Sequence, residues 1–226
     1  MKQQEQFPQI KICGLTTPED ALACAESGAD AIGCVFFPPS PRHVSDEQAR
    51  EICAAVAGRV QTVGVFVNET PEAIIDKAEY CGLSVVQLHG TENPEFVSQL
   101  RKRGQTVIKA LFSEKNPSFK NIDEYDATAY LVECGKGILP GGNALTWDWG
   151  SVRNICLKNP FLLAGGLSPD NILDAVAAAG PDAVDVSSGV EVSPGKKNIN
   201  KVRSFINKVR QRKPDRTPQR KLRRIF

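Results

Sequence analysis

The sequence predicts a single eight-stranded parallel β/α barrel, a TIM barrel, on three observations. Eight apolar, β-branched runs recur along the chain roughly 20–30 residues apart, the spacing of strand–helix units rather than of hairpins. The segments between them open with closely similar helix-start signals. No shift in composition marks a second domain, and 226 residues suit one such barrel, a fold that begins near ~200 residues.

The runs, in order, are Gln9–Cys13, Ala31–Phe36, Thr62–Val67, Val85–His89, Val107–Phe112, Ala129–Glu133, Phe161–Ala164 and Ala183–Ser187. Most are apolar on successive residues, as parallel strands buried on both faces require. Thr17-Pro18-Glu19, Thr70-Pro71-Glu72, Asn93-Pro94-Glu95 and Ser168-Pro169-Asp170 each set a capping side chain, a proline and an acid at a helix start; Ser45-Asp46-Glu47 does so without proline. The cap accepts a bond from a free N–H, proline wastes no donor at the first position, and the acid meets the positive end of the helix. Residues 118–125 form the poorest helical segment, so the fifth crossover is expected to be short. An open doubly wound sheet is the alternative, weakened because the first strand–helix junction lacks G-x-G-x-x-G. The expected division is an N-terminal arm (residues 1–8), the barrel (9–207) and a C-terminal tail (208–226).

The net charge of +2 hides an asymmetry. From Lys208 onward nine Lys/Arg stand against one acid, Asp215, so the tail carries +8 and the rest of the chain −6. Two prolines and few apolar residues predict that this tail is disordered. It is expected to be a solvated extension; no nucleic-acid partner is expected, although the tail leaves a small opening for RNA or an acidic partner. Seven cysteines, an odd number without any C-x-x-C pair, fit neither a disulfide framework nor a zinc site. No run approaches a membrane span and the N-terminus does not read as a signal peptide, so a cytoplasmic protein is expected.

In such barrels the working groups lie at the C-terminal ends of the strands. Ala164-Gly165-Gly166-Leu167 follows the seventh run and Ser187-Ser188-Gly189-Val190 the eighth. Glycine turns let backbone N–H groups approach an anion closely, and these two loops are where barrels hold phosphate. Strand alternation puts Lys11 and Cys13 on one side of the first run and Asp185 and Ser187 on one side of the eighth, so Lys11 and Asp185 are expected to pair across neighbouring strands. A nearby Lys11 would hold Cys13 toward thiolate. Glu133 ends the sixth run, facing either the mouth or a solvated loop. Gln87 and His89 share a face of the fourth; they line the pocket, or His89 is a satisfied core histidine. Arg42 either clamps a substrate carboxylate with its planar fork or is an ordinary surface arginine.

Six ordered blocks carry a resemblance: Lys11-Ile-Cys-Gly-Leu-Thr; Gly28-Ala-Asp-Ala-Ile-Gly-Cys-Val-Phe with Ser40-Pro-Arg; Val63-Gly-Val-Phe-Val-Asn; Gln87-Leu-His-Gly; Ala164-Gly-Gly-Leu-Ser-Pro-Asp-Asn; and Val184-Asp-Val-Ser-Ser-Gly-Val-Glu. From about Ile10 to about Ile206 the chain resembles phosphoribosylanthranilate isomerases. The resemblance implies an Amadori rearrangement of N-(5-phosphoribosyl)anthranilate in tryptophan biosynthesis, with the substrate's own nitrogen as electron sink and no cofactor. It implies Cys13 as general base, a thiolate poised near neutral pH, and the residue ending the sixth strand as general acid. That residue is usually aspartate in the family; here it is Glu133, expected to need a pKa raised by burial. Arg42 would hold the anthranilate carboxylate, Asp185 would contact substrate, and Gly142, Gly165, Gly166, Ser188 and Gly189 would bind phosphate. After Gly141-Gly142 the usual Thr/Ser-Gly is replaced by Asn143-Ala144. A neighbouring tryptophan-pathway enzyme is a possible partner.

Overall fold

The protein is described by a computed structural model covering residues 7–136, 146–154, 158–211 and 221–226. Eight parallel strands close into a barrel in chain order: β1 (Gln9–Cys13), β2 (Ala31–Val35), β3 (Gln61–Phe66), β4 (Val85–Leu88), β5 (Val107–Phe112), β6 (Ala129–Glu133), β7 (Phe161–Leu163) and β8 (Ala183–Val186). These match the eight apolar runs to within one residue at each end. β1 pairs with β2 on one side and β8 on the other, which removes the open-sheet alternative. Each strand is buried on both faces because it separates two cores. Ala31, Val63, Ile108, Leu131 and Leu162 fill the lumen, while Ile10, Ile12, Ile32, Val86 and Val184 pack beneath the helices.

Six α-helices are described: α1 (Pro18–Glu26), α2 (Asp46–Ala55), α3 (Pro71–Cys81), α4 (Pro94–Lys102), α5 (Ile172–Ala179) and α6 (Ile199–Arg210). The side chains of Thr17, Ser45, Thr70 and Asn93 cap the first four as expected, Ser45 in a reciprocal capping box with Gln48. The start expected at Ser168 is instead a turn. Asn171 accepts from Ser168 N and donates to Gly166 O, so the cap-and-proline motif shapes the loop after β7 and α5 begins three residues beyond Pro169. The fifth crossover is a short 3-10 helix, Phe119–Glu124, and another, Trp149–Val152, lies in the sixth. No described helix is long and apolar enough to cross a membrane.

Two features depart from expectation. A short antiparallel hairpin, β9 (Glu191–Ser193) and β10 (Lys196–Lys197), follows β8. And the tail does not read as disordered where it is described: Lys208–Arg210 complete α6, and residues 221–226 dock at the N-terminal end of the barrel. Ile225 and Phe226 join the lumen core, with Gln9 Oε1 accepting from both of their N–H groups and Gln9 Nε2 donating to Phe226 O. A basic, proline-bearing composition conceals two such apolar residues at its end.

Candidate active site

At the opposite, C-terminal mouth, alternation decides which side chains enter the lumen. Ile10 and Ile12 face the helices, so Lys11 and Cys13 face inward; Val184 and Val186 likewise leave Asp185 and Ser187 inward. Val86 and Leu88 leave Gln87 and His89 inward, and Glu133 follows the lumen residues Ala129 and Leu131 on β6.

Lys11 and Asp185 are partners in register and their side chains meet at 2.9 Å, with the lysine fully buried. A Cβ at Gly33, the β2 partner of Cys13, would come within 2.9 Å of Cys13 Sγ and 3.2 Å of Lys11 Nζ, so thiol and ammonium crowd the same space. Burial opposes the Lys11 charge, but Asp185 and Cys13 together hold its pKa above the ordinary value. Lys11 pulls the Cys13 thiol toward thiolate, as expected of a nearby cation, but not far enough to poise it near neutrality. Burial pushes the thiol up by more than Lys11 and Lys197 pull it down, and Asp185 adds to the rise.

Across the lumen, Glu133 Oε1 lies 3.2 Å from His89 Nε2, and His89 Nδ1 lies 2.9 Å from Gln87 Nε2. The ring nitrogens of His89 thus bridge Gln87 on β4 to Glu133 on β6, the donor at each contact being set by the tautomer. Phe112 meets the ring edge-on at 5.7 Å. Glu133 thus faces the mouth rather than a solvated loop, and His89 lines that mouth with both nitrogens partnered.

Arg42 is not a surface residue: 7% of it is exposed. Its stem lies over Gly14, where a Cβ would approach Arg42 Cδ to 2.5 Å and where φ is +76°. Its Nε and Nη2 donate to the two carboxylate oxygens of Glu191 at 2.9 and 2.7 Å. Sequence reasoning missed Glu191 and Lys197. Their only advance signal was position, since Glu191 ends the block after β8. Burial would raise the Glu191 carboxyl, but Arg42 and Lys197 outweigh it and hold its pKa below the ordinary value.

After β7, Gly165 and Gly166 have φ of +85° and +69°. Trp147 Nε1 donates to Ala164 O and Trp149 Nε1 to Gly165 O, two further contacts not anticipated, and they fix the carbonyls of this turn. The N–H groups of Gly165 and Gly166 meet no acceptor among the described residues. Ser188 and Gly189 begin a 3-10 turn after β8, where the first N–H groups lack partners within the turn. A Cβ at Gly189 would collide with Leu167 O, so the two turns touch and form one backbone-lined corner. Gly142 lies outside the described residues. Among the described residues no group of three or more His, Cys, Asp or Glu is arranged to hold a metal ion.

A closed eight-stranded parallel barrel with titratable side chains gathered at its C-terminal mouth is the architecture of a TIM-barrel enzyme. Its family is more specific. The family model described as N-(5'-phosphoribosyl)anthranilate (PRA) isomerase matches residues 10–208, and the chain belongs to that family. It is 53% identical over 211 residues to the N-(5'-phosphoribosyl)anthranilate isomerase of Desulfatibacillum aliphaticivorans, covering 93% of this chain and 97% of that one. Among solved structures, the phosphoribosylanthranilate isomerase of Thermotoga maritima is 40% identical with a TM-score of 0.82, over 90% of this chain and 98% of that one. Another isomerase structure, in complex with reduced 1-(o-carboxyphenylamino)-1-deoxyribulose 5-phosphate, is 39% identical with a TM-score of 0.79, over 90% of this chain and 98% of its own.

Proposed function

We propose that the mouth of this barrel performs its family's isomerisation of N-(5'-phosphoribosyl)anthranilate, a step of tryptophan biosynthesis, with Cys13 as general base and Glu133 as general acid. Glu133 gives its proton to the furanose ring oxygen as the C1–O bond breaks, and the anthranilate nitrogen's lone pair completes a protonated imine. That imine acidifies the C2 proton. Cys13 removes it, the C2–H electrons move toward C1 and nitrogen, and an enolamine forms. Protonation at C1 with loss of the C2 hydroxyl proton gives the aminoketose. Arg42 holds the anthranilate carboxylate, the corner built from Gly165, Gly166, Ser188 and Gly189 holds the phosphate, and Asp185, Gln87 and His89 line the sugar's space.

The observation that carries this reading is that Cys13 and Glu133 both enter the lumen at its C-terminal mouth from strands separated by β7 and β8. A sugar bound between them would meet an acid on one side and a base on the other. Lys11 and Lys197 are the cations that favour the thiolate as it forms. Six free cysteines among the described residues fit the reducing cytoplasm as the compartment.

The test is loss of phosphoribosylanthranilate fluorescence with the wild type, Cys13→Ala and Glu133→Ala. General acid–base roles predict kcat/KM losses of about 10²–10⁴ for each variant. Turnover that survives both substitutions would refute the assigned roles, and a wild type without turnover would refute the activity.

A further inference from the structure

We propose that Glu191 and Lys197, carried by the β9–β10 hairpin, are positioning residues: Glu191 aims Arg42 at the substrate carboxylate, and Lys197 ties that clamp to the strand end bearing Cys13. The proposal rests on the reading of Arg42 as the carboxylate clamp. A guanidinium carries five N–H donors on two usable edges. Glu191 occupies the Nε/Nη2 edge with both oxygens, which leaves the Nη1/Nη2 edge as a second fork for an incoming carboxylate. Among the described residues Glu191 alone hydrogen-bonds the Arg42 side chain, which otherwise lies across a glycine backbone. The carboxylate is itself held: Oε1 also accepts from Lys197 Nζ at 2.7 Å and from Gly195 N at 3.4 Å.

Lys197 completes the link. Its ammonium donates to Cys13 O at 2.6 Å, to Glu191 Oε1 at 2.7 Å and to Ser187 O at 3.4 Å. Those three acceptors use its three protons, so Lys197 has none left for a substrate and acts through its neighbours. One buried cation thereby joins the ends of β1 and β8 to the hairpin. The trio Arg42, Glu191 and Lys197 carries one net positive charge, the complement of a single carboxylate. Positioning, not contact, is therefore the role open to both hairpin residues.

The test compares two substrates, N-(5'-phosphoribosyl)anthranilate and the same sugar phosphate carrying aniline, which lacks the carboxylate. In the wild type Arg42 should favour the carboxylate-bearing substrate in KM, and Arg42→Ala should abolish that preference. Glu191→Gln should cut the preference by about tenfold or more, chiefly through KM, and should add nothing in the Arg42→Ala background. Glu191→Asp, which keeps the charge on a shorter stem, should fall between; it is measured in the same way if Glu191→Gln does not fold. Lys197→Met should lower kcat for both substrates. If Arg42→Ala leaves the preference intact, the clamp reading fails and takes this proposal with it. If Arg42→Ala abolishes it while the Glu191 variants keep it or weaken both substrates equally, only the positioning role is overturned. Wild-type kcat in Lys197→Met would overturn the link to Cys13.

Discussion

Replacing Ile225 and Phe226 together by alanine should loosen the barrel at the end remote from its chemistry. Both side chains are nine-tenths or more buried in the lumen core, and a fully buried apolar side chain contributes about 1.5–3 kcal/mol. Two of them give about 3–6 kcal/mol, and the lower value applies because a mouth open to water can rehydrate and a terminal segment can relax. The bonds between Gln9 and the backbone of these residues need no side chain at 225 or 226, so part of the docking survives. For a chain of this size, 1 kcal/mol moves Tm by about 2–4 °C, so a loss of about 3 kcal/mol lowers it by about 6–12 °C. Circular dichroism melts measure that shift, and the fluorescence assay at 25 °C should show kcat/KM within about twofold of the wild type. Gln9→Ala should reproduce part of the loss, less than additively with the double variant. An unchanged Tm would refute the energetic role of the docked segment. Impaired turnover by a fully folded variant would refute the separation of the two ends.

Three further outcomes follow from the same geometry. Because burial holds the Cys13 thiol above its ordinary pKa, its alkylation by iodoacetamide should still be accelerating above pH 9, and Lys11→Met should move the midpoint higher still; a midpoint near neutrality would contradict this. Lys109 Nζ meets Glu92 Oε2 at 2.5 Å in a buried pair that also fastens Gly90 and Asn68, so Lys109→Met leaves a stranded carboxylate and should cost about 3–5 kcal/mol in urea unfolding, whereas a loss below about 1 kcal/mol would show the pair to be dispensable. Gly189→Ala sets a Cβ hard against the backbone oxygen of Leu167, so it should lower Tm as the turn is forced away and should weaken inhibition by inorganic phosphate in the folded variant; unaltered inhibition would remove Gly189 from the phosphate corner.

The parts of this molecule legible in sequence are those with a local cause. Buried strands announce themselves by consecutive apolar residues, and Thr17, Ser45, Thr70 and Asn93 cap helices only a few residues away. The two-residue period pairs Lys11 with Cys13, Gln87 with His89 and Asp185 with Ser187 on one face of their strands, whereas it leaves Glu133, at the very end of its run, open between the mouth and a loop. What escaped depends on partners far apart in the chain. Arg42 and Glu191 are 149 residues apart, and Cys13 and Lys197 are 184 apart. A charged residue reads as solvated until its distant partner is known, which hides Glu191, Lys197 and Glu92, and a lone lysine within an apolar run, Lys109, gives no sign of the carboxylate it meets. The docking of residues 221–226 escaped for a related reason: average composition hides the two residues that seat them.

The pair between Lys11 and Asp185 closes the seam of the barrel across 174 residues of chain. A contact so distant in sequence carries a large loop-closure entropy, which slows folding that depends on it. Thiol, lysine and aspartate meet only at that seam. In a refolding experiment, ellipticity reports the helices as they form, whereas recovered turnover reports the moment when the first strand finds the eighth. A delay between those two signals would time the last stitch of the fold.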